Sequence, residues 1–350
     1  MKRLDEFARI VLLTEGASNH FVGKTAICML RYRTDDICAV LDSEEQGKTA
    51  NDLFHVGGAV PVVGSLDEVE NADALVIGIA PPGGKLPANW RHIILTAISR
   101  KMTVVSGLHD FLANDDEFRI AAKSAGANLI DIRRNDENRT ATGEPFSQDC
   151  FRVHTVGQDC SVGKMVVSVE LQRALIKRGI NAGFAATGQT GIMISGNGIP
   201  IDCVVADFVN GAAERLVRSM EHHEMVVIEG QGCITHPAYS AVTLGLLHGC
   251  APQAMVLCYE AKRTHVKGFS DTPLQPLENL ISLYEQMATV RVPSKVVAIG
   301  LNSRLLSEEE FRAEKDRVSN ELGLPVCDVI REGADSLADA VLEYRRNITQ

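Results

Sequence analysis

The segment GQDCSVGKM, Gly157 to Met165, has the residue types of a loop that binds phosphate. Gly163 and Lys164 follow Gly157 after five intervening residues, where the common phosphate loop has four. In such loops the backbone N–H groups and the lysine contact phosphate oxygens, and a following Ser or Thr holds Mg²⁺. Met165 occupies that last position. The segment therefore predicts phosphate binding without the usual magnesium hydroxyl.

A second glycine-lysine pair occurs near the start of the chain, in SNHFVGKTA. Thr25 follows Gly23 and Lys24 in the usual place, but Ser18 stands where the first glycine should be, and bulky side chains fill the loop. A phosphate loop needs its full context, since the motif alone occurs by chance. We interpret this segment as the start of a helix after the first strand.

Three acidic or imidazole side chains are candidates for proton transfer. Glu229 ends the buried strand MVVIEG, where a carboxylate can take a proton or hold a metal ion. His236 follows the glycine turn after that strand, and Asp207 lies in PIDCVVADFVNG. We rank Glu229 first, His236 second and Asp207 third as the catalytic base. A capping role for Glu229 and a structural role for the histidine are the alternatives.

The segment EAKRTHVKG is locally basic and follows another strand. Its Lys262 and Arg263 could pair with carboxylates of a substrate. A solvated loop is an equally good interpretation of the same residues.

Short apolar runs alternate with amphipathic segments along the whole chain, which indicates an α/β fold with parallel sheets and helices on both faces. Strands are expected at ARIVLL, ICAVLD, ALVIGI and MTVVS, and again at FRVHTVG, MVVIEG, AMVLCYE and KVVAIGLN. The polar stretch NDENRTATGEPFSQ separates the two series. We therefore predict two doubly wound domains, residues 1–140 and 141–350. The phosphate loop and Glu229 both fall at strand ends of the second, where open α/β sheets bind ligands.

Charge and cysteine usage exclude several classes of function. The net charge of −10 and pI of about 5.5 leave no basic excess for nucleic acid or an anionic membrane. The apolar run near the N-terminus is too short for a signal sequence, and no run approaches a membrane span. Nine cysteines without metal-ligand spacing suggest reduced thiols in the cytoplasm.

Several long motifs resemble one known family over nearly the whole chain. They include ALVIGIAPPGG, VVSGLHDFL, DCSVGKM, IEGQG and HPAYSAVTLGLLHG, with ATGQTGIMISGNGIPIDCVVADFVNGAAE as the longest. This family, long catalogued as a domain of unknown function, joins an N-terminal Rossmann-like domain to a C-terminal P-loop domain resembling nucleotide hydrolases. Its members include D-glutamate N-acetyltransferases.

The resemblance implies transfer of an acetyl group from acetyl-CoA to the amino group of D-glutamate. The loop would then hold CoA through Gly157, Gln158, Asp159, Cys160, Ser161, Val162, Gly163, Lys164 and Met165. The substrate would be bound by Gln189, Arg215, Gln231, Lys262 and Arg263. The resemblance implies no required metal, and analogy favours a homodimer or higher homo-oligomer.

Alternative functions and routes stay open at the level of sequence. GQDCSVGKM with VVIEGQG also resembles dethiobiotin synthetase, an ATP- and Mg²⁺-dependent ligase, although Met165 departs from its loop. A third class is a nucleotide or CoA sensor without catalysis. Within acetyl transfer, Cys160 or Cys233 could form an acetyl-cysteine intermediate, and a helix N-terminus at Cys160 would lower a thiol pKa.

Overall fold

The computed structural model of the protein describes residues 4–349. Two compact units divide them: one comprises the chain up to Asn135 together with Gln189–Pro200, and the other comprises Asp136–Gly188 and the chain from Ile201 onward. The first crossing between the units thus lies five residues before the predicted boundary at residue 140. The segment Gln189–Pro200 returns to the first unit because it packs there, which the linear pattern did not indicate.

The first unit is a Rossmann-like layer structure around one parallel sheet. Its strands run in the order β3-β2-β1-β4-β5-β6, the order of dinucleotide-binding folds. The strands β1, β4 and β5 are buried along their whole length, as expected when helices cover both faces of a parallel sheet. The elements are β1 Ile10–Leu13, α1 Lys24–Tyr32, β2 Ile37–Leu41, α2 Ala50–Phe54, β3 Val62–Val63, β4 Ala74–Ile77, α3 Arg91–Ser99, β5 Thr103–Ser106, α4 Asp116–Ala125 and β6 Leu129–Asp131.

The second unit repeats the architecture with a second six-stranded parallel sheet, in the order β12-β11-β10-β7-β9-β8. The elements after β6 are β7 Phe151–Gly157, α5 Lys164–Lys177, β8 Ala182–Ala185, α6 Gln189–Ser195 (in the first unit), α7 Val209–Arg218, β9 Met225–Ile228, α8 Ser240–Cys250, β10 Ala254–Glu260, α9 Leu277–Thr289, β11 Lys295–Asn302, α10 Glu308–Leu322, β12 Val326–Cys327 and α11 Asp335–Thr349. Among residues 4–349, no helix combines the length and apolar composition needed to cross a bilayer.

Strand β7 lies at the centre of this second sheet, between β10 and β9. Gly157 is paired with Cys258 of β10, and His154 is paired with Ile228 of β9. The chain therefore leaves all three strands at one edge, with Glu229 and Glu260 on either side of the phosphate-type loop. The fold class and both sheets agree with the expectation from sequence.

The exit of β9 passes unusually close to β7. A Cβ atom built on Gly230 would lie 1.7 Å from the carbonyl oxygen of Thr155, which no side chain can tolerate. The Gly230 N–H instead donates to the Thr155 hydroxyl at 3.1 Å. The lack of space between the two strand ends requires glycine at this position. The close approach also sets the position of Glu229 relative to the loop.

We predict that Gly230→Ala lowers the free energy of unfolding by about 3 kcal/mol, because the added methyl forces the two strand ends apart. Urea titration of the full chain measures this loss. Ser282→Ala, on an exposed face of α9, is the control and should stay within about 0.5 kcal/mol of the wild type. An equally stable Gly230→Ala variant would contradict the close approach.

Candidate active site

The loop between β7 and α5 presents a row of backbone donors. Ser161 and Gly163 have positive φ values of 57° and 105°, and this alternation turns successive N–H groups toward one side. Within residues 4–349, the N–H groups of Ser161, Val162 and Gly163 have no hydrogen-bond acceptor. Helix α5 starts at Lys164, so its unpaired first-turn N–H groups and positive dipole end extend the row. The loop has the geometry of an anion site.

The Lys164 side chain is folded back under this loop. It is 6% exposed, and its ammonium donates to the carbonyl oxygen of Asp159 at 2.8 Å. A Cβ on Gly157 would come within 2.9 Å of that ammonium, so the lysine passes close over this glycine. The predicted phosphate-loop lysine thus lies beside the row of donors.

Asp159 anchors the loop through a buried ion pair. Its carboxylate is fully buried; Oδ1 accepts from the N–H of Cys160 at 2.6 Å, and Oδ2 accepts from Arg263 and from the N–H of Lys267, both at 2.8 Å. Arg263 also donates to the carbonyl oxygen of Cys160 and to Glu260 at the end of β10. Arg263 therefore has three partners within its own chain.

Glu229 is held in an apolar, buried position at the end of β9. Its Oε2 accepts from the N–H groups of Thr187 at 2.9 Å and Gly188 at 3.0 Å, while no described residue hydrogen-bonds to Oε1. Loss of hydration on burial raises the pKa of Glu229 to about 7, and the two N–H groups oppose that rise. A carboxyl group with this pKa exchanges protons near neutrality, as a general base must.

Thr187 and Gly188 were missed by the sequence reasoning, although they follow β8 at the same sheet edge. The Thr187 hydroxyl donates to the carbonyl oxygen of Glu229 at 2.8 Å, and Gln231 donates to that hydroxyl at 3.2 Å. A Cβ on Gly188 would lie 2.5 Å from the Gln231 amide, so a side chain there would displace Gln231. The carboxyl-end position of "ATG" after β8 is the signal that could have found them.

His236 is buried next to the loop, and its ring is fixed on both sides. Nδ1 accepts from the N–H of Ala238 at 3.1 Å, and the rings of Tyr239 and Phe269 pack against it with centroids 4.6 and 5.4 Å away. Since Nδ1 accepts, the proton of the neutral ring is on Nε2. That atom lies 3.7 Å from Asp159, too far for a hydrogen bond, and has no hydrogen-bond partner among residues 4–349.

Asp159, Cys160 and His236 have potential ligand atoms within 4.8 Å of one another. A metal-binding histidine donates its second ring N–H to an acceptor, whereas here the second nitrogen faces the N–H donor of Ala238. Lys164 and Arg263 also bring positive charge to the same place. The arrangement therefore does not fit a metal ion bound through Nε2.

The surroundings of Cys160 do not favour the reactive thiolate that the sequence had indicated. Burial raises the pKa of the Cys160 thiol, and the nearby Lys164 charge only partly opposes this. The expectation of a lowered thiol pKa was wrong, because loss of hydration outweighs the helix terminus and the lysine. Cys233 is buried as well, with its sulfur 3.3 Å from the Thr235 hydroxyl.

The remaining sequence-predicted residues are Asp207, Arg215, Lys262 and Gln189. Asp207 is exposed in a short 3-10 turn. Arg215 on α7 pairs with Glu137 of the interdomain stretch, and Lys262 is exposed and pairs with Glu310 at 2.8 Å. Gln189 belongs to the first unit, where it starts α6 and its side chain packs against Gly107.

The second glycine-lysine segment has a structural role, as interpreted from its sequence. The Thr25 hydroxyl is buried and shares a hydrogen bond of 3.1 Å with Thr190. The N–H groups of Phe21 and Val22 are satisfied by the side chain of Asn19. Helix α1 begins at Lys24, directly after this loop.

We predict that Arg263→Ala lowers the free energy of unfolding by about 3 kcal/mol, because it leaves the buried Asp159 carboxylate without its charge partner. Lys262→Ala is the matched control: its ion pair is on the surface, and the loss should stay below about 1 kcal/mol. Both are measured by urea titration. Equal stabilities for the two variants would show that Arg263 does not anchor the loop.

Two family models match this chain, one over each of two successive segments. Residues 139–338 match the family model described as the DUF1611 P-loop domain, and residues 43–135 match the DUF1611 Rossmann-like domain. The crystal structure of a DUF1611 family protein from Anabaena variabilis ATCC 29413 superimposes with a TM-score of 0.90 at 36% identity, covering 96% of this chain and 99% of that one.

Two curated relatives carry a functional name. A D-glutamate N-acetyltransferase from Pseudoalteromonas sp. is 43% identical over 76% of this chain and 80% of its own length. A D-glutamate N-acetyltransferase from Tritonibacter scottomollicae is 37% identical over 79% of this chain and 84% of its own length. With both domains matched in order, this protein belongs to the DUF1611 family.

Proposed function

We propose that this protein is a D-glutamate N-acetyltransferase that uses acetyl-CoA and releases N-acetyl-D-glutamate and CoA. The observation that supports this most is the 43% identity to a curated D-glutamate N-acetyltransferase over most of both chains. The site adds two chemical requirements of such a reaction: an anion cradle for a phosphate-bearing donor and a carboxylate that exchanges protons near neutral pH.

The loop from Gly157 to Met165 is proposed to hold a phosphate of CoA. The unpaired N–H groups of Ser161 to Gly163 and the Lys164 ammonium would contact the phosphate oxygens. A kinase or hydrolase needs Mg²⁺ to neutralise charge while a phosphate bond breaks. Acetyl transfer breaks the C–S bond of the thioester instead, so Met165 in place of a magnesium-binding hydroxyl suits a loop that only binds.

Glu229 is proposed as the general base. The ammonium group of D-glutamate gives a proton to Oε1, the oxygen without a hydrogen-bond donor, and the free amine then attacks the thioester carbonyl. The new C–N bond forms, and the tetrahedral intermediate collapses as the C–S bond breaks. The extra proton on the new amide nitrogen passes to the departing sulfur, so that CoA leaves as its thiol. The high pKa of the Cys160 thiol favours this direct route over an acetyl-cysteine intermediate.

The substrate carboxylates need hydrogen-bond donors. The candidate side chains differ in whether they already pair with a carboxylate of the chain. Gln231 is half-buried beside Glu229, whereas Arg215, Lys262 and Arg263 each already pair with a carboxylate of the chain. We propose Gln231 as the first of these contacts. We also propose that the protein is cytoplasmic, in line with nine cysteines that are all free thiols. By analogy we propose a homodimer or higher homo-oligomer.

The central prediction is thiol release from acetyl-CoA with D-glutamate as acceptor. We expect release with D-glutamate, measured with a thiol reagent, and at least about tenfold less with L-glutamate, since a site that orients both carboxylates and the amine discriminates mirror images. One control reaction lacks the enzyme, and a second lacks the acceptor. No release with D-glutamate would contradict the proposed function.

A thermal-shift series separates the remaining function classes. Stabilisation by acetyl-CoA without Mg²⁺ agrees with acetyl transfer, because a ligand that binds only the folded state stabilises it. Stabilisation only by ATP with Mg²⁺ would instead support a ligase or kinase.

The pH dependence tests the base. Because the pKa of Glu229 is raised to about 7, the carboxyl group is protonated and inactive below that pH, and kcat/KM should rise as the pH passes through about 7. Glu229→Gln should lower kcat by about 10²–10⁴-fold and remove this pH limb. Glu278→Gln, the same change on the exposed face of α9, should keep the wild-type profile. An unchanged limb in Glu229→Gln would assign the pKa to another group.

A further inference from the structure

The buried imidazole of His236 has one nitrogen with a partner and one without. Nδ1 accepts from the N–H of Ala238, whereas the Nε2–H has no acceptor among residues 4–349 although the side chain is 1% exposed. Burying a donor without a partner is unfavourable, so such a group can mark a place where a bound molecule completes the hydrogen bond.

The direction of this donor is set by its surroundings. The rings of Tyr239 and Phe269 restrain the imidazole, and the N–H of Ala238 fixes which nitrogen carries the proton. Nε2 lies beside the phosphate-type loop, 3.7 Å from an Asp159 oxygen. Asp159 already accepts from Cys160, Arg263 and Lys267, so its charge is compensated by other groups.

We propose that the Nε2–H of His236 donates to a phosphate oxygen of the nucleotide ligand held by the loop, which makes His236 a positioning residue for that ligand. This inference rests on the proposed function only for the identity of the ligand, CoA. A phosphate oxygen fits because it is a strong acceptor and because the loop and Lys164 supply the remaining donors. Since Nε2 carries the proton, His236 acts as a donor in this role, whereas the sequence had suggested it as a second choice of base.

Two amide substitutions separate a ligand-binding role from a structural one. In His236→Asn the shorter side chain reaches the position of Nδ1, so it can keep the bond from Ala238 but cannot supply the outer donor. In His236→Gln the longer side chain reaches the position of Nε2 and supplies an N–H donor there. A ligand-binding role therefore predicts that Gln is the better replacement, and a purely structural role predicts that Asn is.

The test is titration calorimetry of CoA, ATP and inorganic pyrophosphate against the full-length wild-type, His236→Asn and His236→Gln proteins. We expect the dissociation constant for CoA to rise at least about tenfold in His236→Asn and less than about threefold in His236→Gln, which corresponds to loss of one hydrogen bond to a charged acceptor. Thermal unfolding of all three proteins checks that each is folded.

The outcomes distinguish this inference from the proposed function. Equal affinities of all three proteins for every probe, or weaker CoA binding in His236→Gln than in His236→Asn, would overturn the inference even if the wild type acetylates D-glutamate. The wild type could release no thiol while ATP binds more weakly to His236→Asn than to His236→Gln. In that case the proposed function fails and the phosphate contact of His236 stands.

Discussion

The ion pair between Asp159 and Arg263 is the interaction on which the site depends. A carboxylate with no exposed surface is tolerated only because a guanidinium and two backbone N–H groups surround it. Arg263 in turn bridges to Glu260 at the end of β10, so the loop after β7 is tied to the neighbouring strand. The fixed loop leaves its outer N–H groups unpaired and available to an anion. The contacts that compensate the buried Asp159 charge thus also hold the loop in place.

The Glu229 carboxyl group and the loop after β7 are coupled through the close approach of two strand ends. The Thr155 hydroxyl joins them: it accepts from the N–H of Gly230 and shares a hydrogen bond of 2.8 Å with Ser168 on α5. Tyr284 adds a second tie, since its hydroxyl donates to Gly157 and accepts from the N–H of Ile234. The loop and the carboxyl group at the end of β9 are therefore held at one distance from each other. Acetyl transfer requires such fixed geometry, because orientation supplies much of its rate.

Burial raises the pKa of two groups that could exchange protons, with opposite consequences for their roles. Desolvation raises the pKa of Glu229 to about 7, where it can act as a base, and raises the pKa of the Cys160 thiol so that the thiolate is disfavoured. The same lack of water leaves the Nε2–H of His236 in need of an acceptor. Burial therefore favours a carboxylate base over a thiol nucleophile and leaves one imidazole donor without a partner among residues 4–349.

The amino-acid sequence by itself determined the two parallel sheets, the phosphate loop and the placement of Glu229 at a strand end. These follow from apolar periodicity and glycine spacing, which are local properties of the chain. Only the tertiary structure decided that Arg263 anchors Asp159, that Gly230 must lack a side chain, that the Cys160 thiol pKa rises, and that Gln189–Pro200 packs in the first unit. It also decided which nitrogen of His236 carries the proton. Each depends on atoms far apart in sequence, and no residue pattern encodes burial, pairing or pKa until folding brings those atoms together.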